Sequence, residues 1–249
     1  MSTAQRKARE WQTREDLLVR VALTLIETSG FNALSLDKVA SCSDYSRGTV
    51  YNHFESREDL ILELGLRALA EQSRWLRHAC AFDGSRRHKV LAMHLSYQAF
   101  ARHQPVLFQC LMSAKAPPVL ARASAARLAR KSELEAAITA HIDHLVQEAL
   151  AHGELALHPA LPAFAVSFGN WALGLGLAML RAGAQPSPSV ARVPETDTLT
   201  LMLVSALLDG LGWPAAPGEP TELASLAARL ETHLSDLSND PHHSMRIQV

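Results

Sequence analysis

Apolar residues recur at three- and four-residue spacing along most of the chain, which is the pattern of helices with one buried face. The first such stretch covers residues 13–29. Its apolar positions are Leu18, Val21, Ala22, Leu25 and Ile26. Stretches that alternate with period two are scarce, and alanine and leucine dominate the apolar positions, so strands are not expected. The pattern therefore predicts an all-α protein.

Two short helices with clear start signals follow the first one. Gly30 is suited to end the first helix, because the residue just past a helix often adopts a conformation that glycine reaches easily. Ser35 can cap a helix over 36–43, and Ser46 can cap another over 47–53. The sequence therefore predicts two short helices joined by a tight turn.

A long helix is predicted after Ser56, which has Asp59 three residues on, the spacing of a capping box. This helix should run to about Ala81. A further helix is predicted to end near His103, and a short one to begin at Pro105. A long helix is predicted over 117–153, another within 155–180, and another over 199–211. A C-terminal helix is predicted from the apolar stripe Leu223, Leu226, Leu230 and Leu234. The proline- and serine-rich segment 183–194 is predicted to be a loop, and residues 238–249 a loose tail.

Composition and charge narrow the class of protein without identifying a partner. The chain has 249 residues, of which 48% are hydrophobic, so a disordered chain and a disulfide-stapled miniprotein are excluded. Lys and Arg total 24 against 25 acidic residues, so a nucleic-acid partner must be recognised by local features. The three cysteines form no C-x-x-C pair, which argues against a zinc ribbon. The polar N-terminus lacks the apolar core of a signal peptide, so a cytoplasmic location is expected.

One run of residues is long and apolar enough to raise the question of a membrane span. Residues 155–180 carry no Asp, Glu, Lys or Arg. Pro159, Pro162 and Asn170 interrupt the run, and the basic residues near its ends show no bias to one side. We therefore expect a helix buried in a protein core or subunit interface, and no membrane partner.

The segment 34–61 carries a specific motif rather than a merely helical pattern. It reads LSLDKVASCSDYSRGTVYNHFESREDLI, and its matching parts are Leu36, Val39 and Ala40, the S-x-G-T-V-Y opening of the second short helix, and H-F-x-S-R before the long helix. This segment resembles the helix-turn-helix of the TetR family of bacterial transcriptional regulators. The turn departs from the pattern of many members, because Ser43-Asp44 stands where they have Ala-Gly.

The residue types in this segment suit contact with DNA. Gly48 lets the backbone approach a duplex, and hydroxyl groups such as those of Ser46 and Thr49 can bind phosphate oxygens. Arg47 is able to reach a guanine base edge, the commonest specific contact of an arginine. The predicted DNA-binding residues are Ser35, Ser46, Arg47, Gly48, Thr49, Tyr51, Asn52, His53 and Arg57.

The resemblance also implies a ligand cavity among the fourth to seventh helices. Aromatic and soft side chains on these helices, with a few polar groups, suggest a mostly apolar small-molecule effector. The predicted ligand-binding residues are Trp75, Met93, His94, Tyr97, Phe100, Phe108, Met112, His141, Phe164, Phe168 and Trp171. At any one of these positions, an ordinary core role is the alternative.

A homodimer is expected both from the resemblance and from the residues. The resemblance implies that the last two long helices form a four-helix bundle with a second subunit. Small residues at helical spacing let another helix approach closely, and the helix over 199–211 is too apolar to be exposed. The predicted dimer residues are Ala165, Gly169, Ala172, Gly176, Leu203 and Leu207. A monomer with both helices buried internally is the alternative.

The predicted domains are a DNA-binding domain over 1–56, with the helix-turn-helix at about 37–56, and a ligand-binding and dimerisation domain over 57–213. A linker and C-terminal helix over 214–237 and the tail over 238–249 complete the chain. The expected function is that of a transcriptional repressor that binds double-stranded operator DNA and is released from it by a ligand. No enzyme activity, cofactor or metal is expected.

Three alternatives remain open at the level of the sequence. His141 and His144 stand three residues apart and could share a metal with His94 or His103. Cys80 and Cys110 could sense redox state. The helix-turn-helix could be vestigial in a small-molecule-binding protein or enzyme, since residues 1–60 hold eight basic and nine acidic residues.

Overall fold

The computed structural model describes residues 2–182, 188, 190–194, 196–216 and 218–238. Regular structure in these residues is helical throughout, which confirms the predicted fold class. The helices are α1 (Thr3–Ser29), α2 (Leu36–Ser41), α3 (Arg47–His53), α4 (Arg57–Cys80), α5 (Arg86–His103), α6 (Pro105–Ser113), α7 (Pro117–Arg122), α8 (Ala125–Ala151), α9 (Phe164–Arg181), α10 (Asp197–Gly210) and α11 (Glu219–Ser238). Most of the predicted loop 183–194 and nearly all of the predicted tail 238–249 lie outside the described residues.

Helix α1 begins ten residues before the start of the apolar pattern. Ser2 and Gln5 form a reciprocal capping box that starts the helix at Thr3. The first turns are exposed and carry no apolar face, which is why periodicity did not reveal them. Gly30 ends the helix with φ 79°, a left-handed value that glycine adopts without strain.

The single helix predicted over 117–153 is two helices. The break falls at Ala123 and Ser124, between α7 and α8. The backbone N–H of Ser124 donates to Asp59 Oδ1 at 2.8 Å, so a buried carboxylate satisfies a backbone group that the break leaves without a helical partner. No Gly or Pro marks this position, and the sequence pattern therefore continued across it.

The uncharged run 155–180 is helical only from Phe164 onward, in α9. In the described part of the chain, no helix combines the length and apolarity that a membrane span requires.

The chain divides into two compact units, and the domain boundaries predicted above stay predictions. The first unit contains residues up to 70 together with 106–134. Within it, α1, α2 and α3 form a small core under the helix-turn-helix. The buried side chains of this core include Leu18, Ala22, Val39, Val50 and Phe54. Burial of Val50 and Phe54 fixes which side of α3 faces inward.

The second unit contains residues 71–105 and the described residues from 135 onward. Its core is formed by α5, α9, α10 and α11 with the adjoining parts of α4 and α8. A buried arginine ties α5 to the end of α10. Arg87 Nη2 donates to the Ser205 carbonyl at 3.1 Å and lies 2.9 Å from Asp209 Oδ1, while Arg87 Nη1 donates to the Trp213 carbonyl. These bonds hold α10 in place within a single chain.

Candidate functional site

The start of α3 is held by a hydroxyl cap and presents polar side chains outward. Ser46 Oγ accepts the Thr49 backbone N–H at 3.2 Å and lies 3.0 Å from Thr49 Oγ1. Arg47, Tyr51 and Asn52 are exposed. The Arg47 side chain is 72% exposed and its Nε lies 3.2 Å from Asp37 Oδ1, so a surface ion pair orients it. Helix α3 therefore exposes one face, where it can contact a partner, and buries the opposite face in the core.

Two predicted DNA-binding residues at the end of this segment are placed elsewhere. His53 is buried, its ring lies 3.8 Å from the Trp11 ring, and its Nδ1 lies 3.4 Å from Glu15 Oε2. The expectation that His53 reaches DNA is corrected, because residue 53 follows Val50 by three positions and shares its inward face. Arg57 Nε donates to the Leu34 carbonyl at 2.7 Å, which ties α4 to the α1–α2 connection.

Of the other predicted residues, Ser35 caps α2 by accepting the Lys38 backbone N–H at 3.2 Å. Gly48 is exposed and has only Ser46 Oγ near its missing Cβ, at 3.8 Å. These two residues thus shape the helix-turn-helix.

A basic groove lies beside the turn that precedes α3. Its lining residues are Arg6, Arg9, Glu10, Thr13, Arg14 and Tyr45. The Arg14 guanidinium lies 5.7 Å from the centre of the Tyr45 ring. The early start of α1 thus sets three arginines in a row next to the helix-turn-helix, a local positive charge that the net charge of the segment conceals.

An arginine of α8 anchors the inner side of the helix-turn-helix. Arg127 lies 3.1 Å from Glu15 Oε2 through Nη2, 2.5 Å from Asp59 Oδ2 through Nη1, and 3.1 Å from Glu63 Oε2 through Nε. Its Nη2 also donates to the His53 carbonyl at 3.1 Å, at the last residue of α3. One guanidinium therefore holds α1, α3 and α4 together. Neither the residue type of Arg127 nor the spacing of apolar residues in its helix indicates this role.

The second unit contains a cavity of about 70 Å³. Four predicted ligand-binding residues line it, Met93, His94, Tyr97 and Trp171. The other lining residues are Gln72, Leu76, Val90, Ile138, Ile142, Asn170, Gly174 and Leu175. Ile138 and Ile142 are not among the predicted ligand-binding residues, since periodicity cannot tell a cavity wall from a packed core.

The remaining predicted ligand-binding residues do not line this cavity. Trp75 and Phe100 are buried and pack against each other, with ring centres 6.4 Å apart. Phe108 and Met112 belong to the first unit. The last three, His141, Phe164 and Phe168, are exposed.

A buried histidine supplies the polar wall of the cavity. His94 Nε2 lies 2.9 Å from Asn170 Oδ1, and Asn170 Nδ2 donates to the Val166 carbonyl at 2.8 Å. Burial lowers the pKa of His94 to about 4, with the hydrogen bond to Asn170 opposing that shift. His94 is therefore neutral at physiological pH.

The buried His94 makes stability depend on pH in a defined direction. Its pKa is about 4 in the folded chain, against 6.5 for an ordinary histidine, so the unfolded chain binds an extra proton below pH 6.5. This contribution is fully present above pH 6.5 and is lost as the pH falls toward 4. We expect a loss on the order of 3 kcal/mol over that interval, measured as the free energy of unfolding in urea. The variant His94→Phe should flatten the profile; an unchanged profile would contradict the assignment.

Helices α9 and α10 expose an unusual number of large apolar side chains. Phe164 is 59% exposed and Phe168 52% exposed. The others are Trp171, Met179, Leu180, Met202 and Leu203. Exposed apolar side chains in this number are typical of an interface between protein chains.

The predicted dimer residues divide between this exposed face and contacts within one chain. Ala172 and Leu203 are exposed. Gly169 faces α10 of the same chain, since a Cβ there would lie 3.7 Å from Leu211 Cδ1 and 3.9 Å from Leu207 Cδ1. The structure therefore assigns Gly169 and Leu207 to intrachain packing. Ala165 and Gly176 are half-buried, and nothing lies within 4 Å of a Cβ at Gly176.

The metal and redox alternatives find little support in the geometry. Among the described residues, no group of three His, Cys, Asp or Glu side chains is placed to hold a metal ion. Burial raises the pKa of the Cys80 thiol, and raises that of Cys110 to about 12, which disfavours the reactive thiolate at both positions. Cys42 is exposed at the end of α2.

Comparison with known proteins confirms the resemblance on the helix-turn-helix segment and on the fold. Residues 18–64 match the sequence model of the bacterial regulatory proteins of the tetR family. No curated protein matches the chain by sequence.

Many solved structures share the fold. A protein of unknown function from Rhodococcus sp. RHA1 is 21% identical with TM-score 0.64, over 80% of this chain and 95% of that one. A TetR/AcrR-family transcriptional regulator from Thermobifida fusca is 17% identical with TM-score 0.56, over 79% and 96%. A tetR-family regulatory protein from Rhodococcus RHA1 is 16% identical with TM-score 0.54, over 76% and 96%.

Proposed function

This chain has the fold of the TetR-family transcriptional regulators and their N-terminal sequence signature, and on that premise we propose that it is a homodimeric, cytoplasmic, sequence-specific DNA-binding repressor. Its partners are double-stranded operator DNA and a small, mostly apolar effector. Its activity is binding rather than catalysis.

The exposed face of α3 is the observation that carries this proposal. Arg47, Tyr51 and Asn52 are exposed on a helix whose other side is locked in a core by Val50. Arginine and asparagine side chains on such a helix can read guanine and adenine edges in the major groove. The groove formed by Arg6, Arg9 and Arg14 adds phosphate contacts beside this face.

The apolar face of α9 and α10 supports the dimer. Phe168, Trp171 and Met202 are too exposed for a chain that stays alone in water. A two-fold pair would bury them and present two α3 helices to two half-sites, as a palindromic operator requires.

Release by an effector follows from helix continuity. Helix α4 contributes residues 57–70 to the first unit and 71–80 to the second, and α8 is divided in the same way at 134. Both helices line the cavity, α4 through Leu76 and α8 through Ile138. An effector that favours one arrangement of these helices would change operator affinity by its differential affinity for the two states.

The rival function is an effector-binding protein or enzyme whose helix-turn-helix no longer binds DNA. The observation in its favour is the weak charge of residues 1–60. It predicts small-molecule binding in the cavity with equal, weak affinity for all DNA.

The substitution Arg47→Ala should weaken operator binding about tenfold while leaving non-specific binding nearly unchanged. Fluorescence anisotropy with the DNA that flanks the gene, and with unrelated DNA of equal length, measures both affinities at two salt concentrations. Arg20→Ala, on the exposed surface of α1, is the matched control. Equal affinity of the unaltered protein for both DNAs would favour the rival; an unaffected Arg47→Ala variant would show that another helix reads the operator.

A further inference from the structure

We propose that the cavity of the second unit selects a small neutral molecule with an apolar body and one hydrogen-bond donor, an alcohol, phenol or neutral N–H compound, which donates to His94 Nδ1. This inference rests on the proposed effector function and specifies the chemistry of the effector.

The neighbours of His94 fix which ring nitrogen carries its proton. Asn170 Nδ2 donates to the Val166 carbonyl at 2.8 Å, so the amide oxygen of Asn170 is the atom that faces His94. That oxygen can only accept, and it lies 2.9 Å from His94 Nε2. Nε2 of the neutral ring therefore carries the hydrogen. Nδ1 is left as an acceptor with a free lone pair.

This acceptor is buried and has no donor in the described chain. A buried polar atom without a partner is costly, which marks Nδ1 as the group that a ligand would satisfy. Gly174 faces Nδ1 without a side chain, and a Cβ at that position would lie 3.3 Å from Nδ1. The Gly174 backbone is itself held by Gln98 Nε2, which donates to the Gly174 carbonyl at 3.0 Å. A side chain at position 174 would therefore crowd Nδ1, and glycine avoids this.

The walls of the cavity restrict the rest of the ligand. Its described lining consists of aliphatic and aromatic side chains with the uncharged polar groups of Gln72, Tyr97 and Asn170, and none of its residues carries a charge when His94 is neutral. A charged ligand would lose its hydration without a counter-charge, so a neutral one is favoured. The volume of about 70 Å³ suits a molecule of a few heavy atoms, or the small end of a longer one.

Phenol and toluene test this inference, because they differ mainly by the replacement of a donating hydroxyl with a methyl group. Calorimetric titration of the full-length protein without DNA gives both affinities, for the unaltered chain and for His94→Phe. We expect the ratio of phenol affinity to toluene affinity to fall about tenfold in the variant. An equal ratio in both proteins would overturn the inference, as would tighter binding of benzoate than of phenol.

A nitrogen NMR measurement on the unaltered protein decides the matter even if His94→Phe does not fold. At pH 5.5 His94 is neutral, so its unprotonated Nδ1 gives a nitrogen signal distinct from that of a protonated ring. Phenol should move that signal, and toluene should leave it nearly unchanged. A signal from the other tautomer, protonated at Nδ1, would overturn the inference.

These measurements involve no DNA, so they separate this inference from the proposed function. Donor-selective binding at His94 by a protein that has no operator would leave the inference standing and refute the regulator. Specific operator binding, together with equal effects of phenol and toluene on His94, would overturn the inference and leave the regulator standing.

Discussion

Replacing Arg127 with alanine is expected to lower the free energy of unfolding by about 3–5 kcal/mol. The side chains of Asp59 and Glu63 are fully buried, and Arg127 bonds to both of them and to Glu15. Removing the guanidinium leaves buried carboxylates with too little positive charge around them. Urea unfolding followed by circular dichroism measures the loss.

Arg130→Ala is the matched control for this prediction. Arg130 also approaches Glu63, at 3.3 Å, but its side chain is 46% exposed. Water screens the half-exposed Arg130 charge, and Glu63 keeps Arg67 at 2.7 Å and Arg127 at 3.1 Å, so the loss should stay below about 1 kcal/mol. Equally small losses of unfolding free energy in both variants would show that Asp59 and Glu63 do not depend on Arg127. The ion pairs of Arg127 would then not be what holds the end of α3.

The substitution Phe168→Glu is expected to separate the proposed dimer into monomers and to weaken operator binding at least about a hundredfold. Phe168 is half exposed on the apolar face of α9. A carboxylate at the centre of a closely packed interface would be buried without a partner. Light scattering during size-exclusion chromatography measures the mass, and anisotropy measures the affinity for operator DNA.

Ala228→Glu provides the control, since Ala228 is exposed on α11, outside the apolar face. It should stay dimeric and bind DNA normally. The Phe168→Glu chain should remain folded, because about half of the Phe168 side chain is exposed within the single chain. A Phe168→Glu protein that still ran as a dimer would move the interface to another surface.

The sequence predicted the helix-turn-helix well because its signals are local. Ser35 and Ser46 cap α2 and α3 through hydroxyls that lie three residues from the backbone groups they bind. Such signals depend on neighbours in the chain. The type and order of the helices could therefore be predicted, and the largest departures in the described residues are the unbroken helix over 117–153 and the late start of α1.

The roles of individual side chains were harder to predict, because they depend on residues far away in the chain. His53 and Arg57 have the residue types of DNA contacts, yet His53 is buried beside Glu15 and Arg57 is bonded to the Leu34 carbonyl. Arg127 is 64 residues from Glu63, and no periodicity links the two. Only the three-dimensional structure distinguishes a surface arginine from one that joins three helices.

The same limit applies to the cavity and to the apolar face. Aromatic residues of α9 suit a ligand site and an interface equally well. The half-turn between Phe168 and Asn170 decides the matter, since Phe168 is exposed and Asn170 is buried against His94. A shift of the inward face by two residues, roughly 200° of rotation about the helix axis, would exchange the two roles.

The unequal surroundings of the three thiols give the protein a natural reporter position. Cys42 is exposed in the helix-turn-helix, whereas burial raises the pKa of the Cys80 and Cys110 thiols. A spin label or fluorophore that reacts with thiolates therefore attaches first at Cys42. The proposed dimer, labelled in this way, carries one probe beside each helix-turn-helix. Spectroscopy can then measure the distance between the two probes, with and without effector, in a protein without substitutions.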